Sequence, residues 1–571
     1  MEPPSWWVGM QNDTLQLLIQ GGGAGAWDVA VEAAGIEVLD VHPADSPNYL
    51  FVDLLVSPQA RAGTYTLKFS REGEAVTSYA YELKERKWTA EDLRGFDAHD
   101  VVCLIIPDRF ANGDPTNDVV AGLTETTVDR NNPGGRHGGD LQGITDHLDY
   151  LDELGFTAVW PTPVLENDMP EYSYHGYAIT DYYRVDPRFG TLADYRALAD
   201  SLRGRGMKLI MDQVVNHCGL GHWWMDDLPF ADWLNYQDSA RMTNHQHLVH
   251  QDPYASTRDR ERMTGGWFVP TMPDLNQRNP FMARYLIQHS IWWVETLGLG
   301  GIRQDTYPYP DADFMAEWSC RILAEYPDFN IVGEEMSYNP AVCAYWQAGK
   351  DNGYPSCLKT VMDFPLKEAL LRALNEPEDW NTGLIHLYEA LAQDFQYADP
   401  SHLMVFGDNH DKDRLATVLG GDVAKIKMAL TYLLTVRGIP QLYYGTEILL
   451  DNDAAPGNDG VRRGDLPGGW AGDSVNVFTG EGLTADQLDV REHLRELLAF
   501  RKAHPVIATG KTVHYAPRDG VYVYGRYDDS ERVVVALNKR SEAVRLDPAD
   551  YPELLKEALE VPAGEAVVVV R

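Results

Sequence analysis

From about residue 100 to residue 445 the chain repeats one pattern. A short apolar run appears, turn residues bound it, and a stretch with helical spacing usually follows. The runs are "DVVCLIIP", "FTAVWPT", "MKLIMDQVV", "GGIRQD", "FNIVGE", "TVMDF", "HLMVFGD" and "GIPQLYYG". Between the first two lies "LQGITDHLDYLDELG", where Ile144, Leu148 and Leu151 recur at the period of a helix face. "TLADYRALADSLRGRG" follows the second run in the same style. Eight strand signals alternating with helices predict a parallel α/β fold, and a closed (β/α)8 barrel is the economical solution. The gap between the third run and "NPFMARYLIQHSIWWVETLG" is too long for a simple loop. Residues 217–276, rich in Trp, His, Asp and Gly, read as an inserted subdomain.

The flanks follow a different rule. Residues 1–86 carry runs with period-two alternation, such as "TLQLLIQG", "YLFVDLLVS" and "GTYTLKFS", broken by Gly, Pro, Asn and Ser. They predict a small antiparallel, Ig-like β-sandwich. "GVYVYGRY", "ERVVVALNK" and "EAVVVVR" predict a second antiparallel β-domain over 507–571, leaving 87–506 to the barrel and its insertion. A chain of 571 residues exceeds what one core organises, so several domains are expected.

The totals exclude some partners. With 86 acidic and 48 basic residues the net charge is −38, which repels nucleic acid and anionic membranes. A lysine-poor acidic surface suits high salt, or simply solubility. No window approaches the roughly 18 apolar residues of a membrane span. "MEPPSWWVGMQND" has no basic n-region or apolar h-region. A periplasmic protein in mature form is the expectation, with the cytoplasm as alternative. Five cysteines, odd in number and without C-x-x-C pairs, predict neither a disulfide framework nor a zinc site.

In a barrel of this kind, chemistry sits where strands end at their carboxyl side. The third run ends in "MDQVVNH", with Asp212, Asn216 and His217, and the fourth in "GIRQDTY", with Arg303 and Asp305. The fifth ends in Glu334 and Glu335, the seventh in "FGDNHDKDR", with His410 and Asp411. Arg303 and Asp305 are two apart, hence on one face of the strand, where the cation favours the ionised carboxylate. Glu334 and Glu335 face opposite ways, so only one serves a common site; alternation does not say which. An ionised carboxylate beside a protonatable one suits glycoside hydrolysis. Any one of these groups alone reads as a structural ion pair, but four strand ends agree.

In this order "MDQVVNH", "GIRQD", "GEE" and "FGDNHD" resemble the sequence regions of the α-amylase family of glycoside hydrolases. "YHGYAITDYYRVDPRFGT" and "GIPQLYYGTEI" resemble two more of its regions. "MPDLNQ", "PSWWVGM", "NYLFVDLL" and "DLPGGW" are similar to the cyclomaltodextrinase and neopullulanase branch, whose members carry an N-terminal β-domain. The resemblance implies a retaining enzyme cutting α-1,4 bonds in cyclodextrins, maltooligosaccharides, starch or pullulan. It implies Asp305 as nucleophile, Glu334 as acid/base and Asp411 as stabiliser of the transition state. Glu335 would be structural. Arg303 would keep Asp305 ionised, His175, His217 and His410 would bond sugar hydroxyls, and Tyr177 would stack on the ring. Asp212 and Asn216 would support the site's loops. Family members often carry a Lys-His pair soon after the nucleophile; here "TYPYPDADF" stands instead, which leaves acceptor-side specificity open. The alternatives are a transglycosylating relative active on trehalose or sucrose, and a non-catalytic glucan-binding protein.

"DRFANGDPTNDVV" reads by itself as a polar turn or an oxygen-rich cation loop. It resembles a calcium loop of the cyclodextrin-active branch, with Asn112, Asp114, Asn117, Asp118, Gly138 and Asp140 as ligands of a structural Ca2+. Related enzymes with N-terminal β-domains often dimerise, so a homodimer is expected by analogy. Trp6 and Trp7 are either a starch-stacking pair or an anchor onto the barrel.

Overall fold

The computed structural model describes residues 1–571. The eight runs form a closed parallel barrel of strands β1 (Val102–Ile105), β2 (Ala158–Pro161), β3 (Lys208–Gln213), β4 (Gly301–Gln304), β5 (Ile331–Gly333), β6 (Thr360–Met362), β7 (Leu403–Phe406) and β8 (Ile439–Tyr443). β8 pairs with β1, which closes the ring. The strands are buried almost throughout, because helices cover the outside and packed side chains fill the inside.

The helix Leu192–Gly204 shows how one crossover is specified. Thr191 and Asp194 form a reciprocal capping box at its start. Tyr195, Leu198, Ala199 and Leu202, spaced three and four apart, form its buried face. Gly204 and Gly206, the latter at φ 73°, end it before β3. Truncating Leu198 or Leu202 to Ala removes a fully buried side chain, a loss of about 2–5 kcal/mol.

Register sets the site. Asp212 lies opposite Arg303, and Gln304 opposite Gly333. Asp305 and Glu334 are therefore the next residues on adjacent strands. The insertion between β3 and the helix Pro280–Leu297 contains the helix Thr257–Gly265 and two short 3-10 turns. A bridge from His217 to Asp274 ties its ends together, and one from Leu234 to Leu275 folds its interior back onto the outgoing end.

The N-terminal domain stacks two sheets. One orders Ser5–Trp7, Glu74–Lys84, Gly63–Arg71 and Asp28–Val31; the other orders Thr14–Gln20, Tyr49–Val56 and Ile36–Pro43. It is not wholly antiparallel, since Ser5–Trp7 runs parallel to Glu74–Lys84. That strand enters from the chain end, with no hairpin to force the antiparallel sense. Trp6 and Trp7 are only 4% exposed, and Trp7 meets Trp292 of the barrel edge-on at 6.5 Å. The pair is thus an anchor onto the barrel. Gln16 and Gln288 exchange hydrogen bonds of 2.8 Å beside it. The C-terminal domain is a sheet of Lys511–His514, Val521–Tyr527, Arg532–Asn538 and Ala566–Val570 with a small ribbon, Val544–Leu546 against Leu559–Val561.

The cysteines depart from expectation. Cys320 and Cys357, separated by 37 residues, are joined in a disulfide. Cys320 sits on the helix Ala312–Glu325 after β4 and Cys357 just before β6, so only the barrel's winding brings them together. Cys103, Cys218 and Cys343 are free and buried.

Candidate active site

The carboxyl ends of β3, β4, β5 and β7 deliver their polar residues to one point. Its centre is Arg303, a fully buried guanidinium. Nη1 donates to Asp305 Oδ1 at 2.7 Å and to Asp212 Oδ1 at 2.9 Å. Nη2 lies 2.8 Å from Glu334 Oε2. One guanidinium thus holds both carboxyls, which places Asp305 and Glu334 side by side at the ends of adjacent strands. Thr306 turns the chain after Asp305 at φ 45°, an unusual conformation for a β-branched residue. That turn aims its N–H at Glu334 Oε2, 3.0 Å away, while its hydroxyl donates to Asp305 Oδ2 at 3.1 Å. Glu334 Oε1 is buried and has no protein partner.

The environments drive the carboxyls apart. Burial, with Asp305 and Asp411 nearby, outweighs Arg303 and raises Glu334 to about 8. Asp212 is pushed up to about 7, by burial foremost. Burial also opposes charge on Asp411, but His410, Arg463, Arg303 and Arg462 prevail and hold it down at about 2. Burial drops His410 to about 3, leaving it neutral at pH 7, so the arginines are the effective hold on Asp411. His175 and His217 are lowered by burial to about 3 and about 4 and act as neutral hydrogen-bonding rings.

Tyr177 joins the group. Its hydroxyl donates to Asp212 Oδ2 at 2.9 Å and lies 2.6 Å from His410 Nε2, and the two rings stack at 5.4 Å. His175 Nδ1 accepts from the Tyr177 N–H at 2.9 Å. His217 meets Asn216 at 3.1 Å and stacks on Phe268 at 5.2 Å. His410 Nε2 is 3.1 Å from Asp411 Oδ2. Thus Asp305, Glu334, Arg303, Tyr177, His410 and Asp411 form one connected group through Asp212, with His175 bonded to Tyr177 and His217 just beyond the end of β3. Glu335 turns away from Arg303 and is fully buried.

Sequence reasoning missed two members. Arg463 donates from Nη2 to Asp411 Oδ1 at 2.8 Å and from Nε to the His410 carbonyl at 2.9 Å. The signal was the paired arginines of "VRRGD" in an otherwise acidic loop after β8. Trp160 Nε1 donates to Asp212 Oδ2 at 2.9 Å from the end of β2, a residue that reads only as core.

The oxygen-rich loop after β1 folds beside the helix Leu141–Asp146. Asp140 caps that helix through Gly143 N–H at 2.6 Å and also accepts from Gly113 and Asp114 N–H. Asp114 Oδ1 turns to Thr116 at 2.6 Å, so the three aspartates do not converge as a trio. Asn112 Nδ2 donates to Asp118 Oδ1 at 2.8 Å. Asn112 Oδ1 and Asn117 Oδ1 are buried without partners, which suits a hard cation. Gly138, at φ 88°, makes room: a Cβ there would lie 2.7 Å from Asp118 Oδ1.

A parallel barrel with opposed carboxyls at its strand ends defines a glycoside hydrolase site. The chain matches "Alpha amylase, catalytic domain" over residues 104–468, and it belongs to the α-amylase family. Its flanks match "Cyclomaltodextrinase, N-terminal" over 1–87 and "Cyclo-malto-dextrinase C-terminal domain" over 512–562, which places it in the cyclomaltodextrinase and neopullulanase branch. A cyclomaltodextrinase of Geobacillus thermopakistaniensis is 31% identical over 77% of this chain and 69% of that protein. Neopullulanase 2 of Thermoactinomyces vulgaris is 30% identical over 86% of this chain and 78% of its own length. The solved α-amylase of Geobacillus thermoleovorans, complexed with acarbose, superposes with a TM-score of 0.67 at 29% identity, covering 83% of this chain and 98% of that one.

Proposed function

We propose that this chain hydrolyses α-1,4-glucosidic bonds with retention, acting on cyclodextrins, maltooligosaccharides, starch or pullulan. The observation that carries the reading is Arg303 gripping Asp305 and Glu334 together. Asp305 attacks the anomeric carbon, and the bond to the leaving oxygen breaks as Glu334 delivers its proton there. Water then attacks the glycosyl-enzyme ester; the Glu334 carboxylate takes its proton and the Asp305 carboxylate leaves. The free Oε1 of Glu334 suits this exchange, because Oε2 is already engaged. Asp411, ionised by its arginines, faces the positive charge that develops on the ring. Tyr177 supplies the stacking surface, and His175, His217 and His410 supply neutral partners for sugar hydroxyls.

The names of the relatives support cyclodextrin or pullulan as substrate. Comparing initial rates on cyclodextrin, pullulan, maltotriose and sucrose tests this. Sucrose as the best substrate would overturn it. A structural calcium held by Asn112, Asn117, Asp118 and the Gly138 region is supported by the two orphaned amide oxygens. Asp114 and Asp140 frame that loop. The Cys320–Cys357 disulfide supports an oxidising compartment such as the periplasm. No helix is long and apolar enough to cross a membrane.

A further inference from the structure

Glu335, the second carboxylate of the pair, costs desolvation and stands beside the acid. A mere filler at a strand end would be apolar, since a buried ion pair is a poor source of stability. Its partners say what it does instead. Oε2 accepts the Trp346 indole N–H at 2.7 Å, and Oε1 is in ion-pair contact with Nδ1 of His247. His247 opens the 3-10 turn His247–His250 of the inserted subdomain. At the far end of that turn, His250 Nε2 donates to the Pro308 carbonyl at 2.7 Å, and its ring meets Trp346 at 4.9 Å. The insertion is thus fastened to the end of β5 and to the loop after β4.

Beside this fastening stands a wall of rings. Phe268 packs on His217 and Tyr309 at 5.2 Å each and on His245 at 5.5 Å. His245 Nδ1 lies 3.2 Å from the Tyr309 hydroxyl. The Tyr309 N–H donates to the Thr306 carbonyl at 3.0 Å, and the Thr306 N–H donates to Glu334 Oε2 at 3.0 Å, so the wall borders the acid. The acid protonates the leaving group, so the sugar on this side is the one that departs, or the one that later accepts.

Building on the function proposed above, we infer that Glu335 is a positioning residue. Through His247 it holds the wall of His245, Phe268 and Tyr309 beside Glu334, and so sets how well a sugar competes with water for the glycosyl-enzyme.

The tether carries a pH dependence. Groups around it are Glu335 from β5, His245 and His250 from the same segment, Arg260 from the next helix, and Tyr309 and Asp311 from the loop after β4. Burial disfavours charge on His247, but contact with Glu335 prevails and raises it above its ordinary 6.5. The ion pair is therefore complete below that ordinary value and is lost as pH rises through the raised one.

The test uses the full-length enzyme with cyclodextrin as donor and glucose as added acceptor, from about pH 5 to about pH 9, a window that brackets histidine titration. Water and sugar discharge one intermediate through one base, so the ratio of transfer to hydrolysis is insensitive to the ionisation of Glu334. In the wild type this ratio should fall as pH rises. Glu335→Gln should show the wild type's alkaline ratio at every pH, down about five- to tenfold at the acidic end, as for one lost charge-assisted contact. His247→Gln, at a side chain 22% exposed, should do the same and serves if the first variant fails to fold. A wild-type ratio with wild-type pH dependence in a folded variant overturns the inference. Glu334→Gln separates the layers. If that variant keeps its turnover, the proposed function fails; if it is dead while the ratio ignores Glu335, only the tether falls.

Discussion

Replacing Arg463 by Gln is the sharpest test of what holds Asp411. The guanidinium is 7% exposed and donates to Asp411 Oδ1 at 2.8 Å and to the His410 carbonyl at 2.9 Å. A hydrogen bond to a charged partner contributes about 1.5–3 kcal/mol, and each ~1.4 kcal/mol is tenfold in rate. Asp411 is 27% exposed, so solvent screening favours the lower half of that range. The expected loss in kcat/KM is then about 10- to 50-fold. The pH profile should move as well. Asp411 must be ionised to act, so activity is present above its pKa and lost below. Removing the cation lifts that pKa from about 2 towards the ordinary ~3.9, and the acidic limb shifts to higher pH. Arg463→Lys keeps the charge without the fork and should fall between the two. Steady-state hydrolysis of cyclodextrin from about pH 3 to pH 9, with a melting curve for each variant, reads both effects. A folded Arg463→Gln enzyme within twofold of wild type, with an unmoved acidic limb, would refute the reasoning.

The alkaline limb should report Glu334, which must be protonated to serve as acid. Activity should decline above about pH 8, and a limb near an ordinary glutamate value would contradict the burial argument. Chelator should lower the melting temperature by a few degrees and calcium restore it better than magnesium, since ligand at a hundredfold over its dissociation constant adds about 2.7 kcal/mol. Asp118→Ala should remove that response; wild-type melting in both conditions would reduce the loop to a polar turn. Cys320→Ser opens a disulfide spanning 37 residues, for which chain entropy sets an upper cost of about 4 kcal/mol, read as a lower denaturant midpoint. An unchanged midpoint would mean the bridge contributes nothing.

What the sequence disclosed was what local chemistry encodes. Strand runs announced the barrel because each is apolar along its length, and strand ends announced the site because Asp305, Glu334 and Asp411 each follow such a run. The direction of Glu334 and Glu335 was not local information; it depends on which neighbour, Arg303 or His247, reaches each. Arg463 was obscured because its partner lies 52 residues away on another loop. The Cys320–Cys357 bridge escaped notice because barrel winding, not spacing, makes those residues neighbours. Parallel pairing of Ser5–Trp7 was hidden for the same reason, since alternation does not encode strand direction.

The central claim is double displacement with Asp305 as nucleophile and Glu334 as acid/base. Proton NMR of the first products from maltotriose reads it directly, before mutarotation mixes the anomers. The α-anomer should appear first in the wild type, and Asp305→Asn and Glu334→Gln should form almost none while melting normally. A β-anomer in the earliest spectra, or near-normal turnover in either variant, would contradict the account.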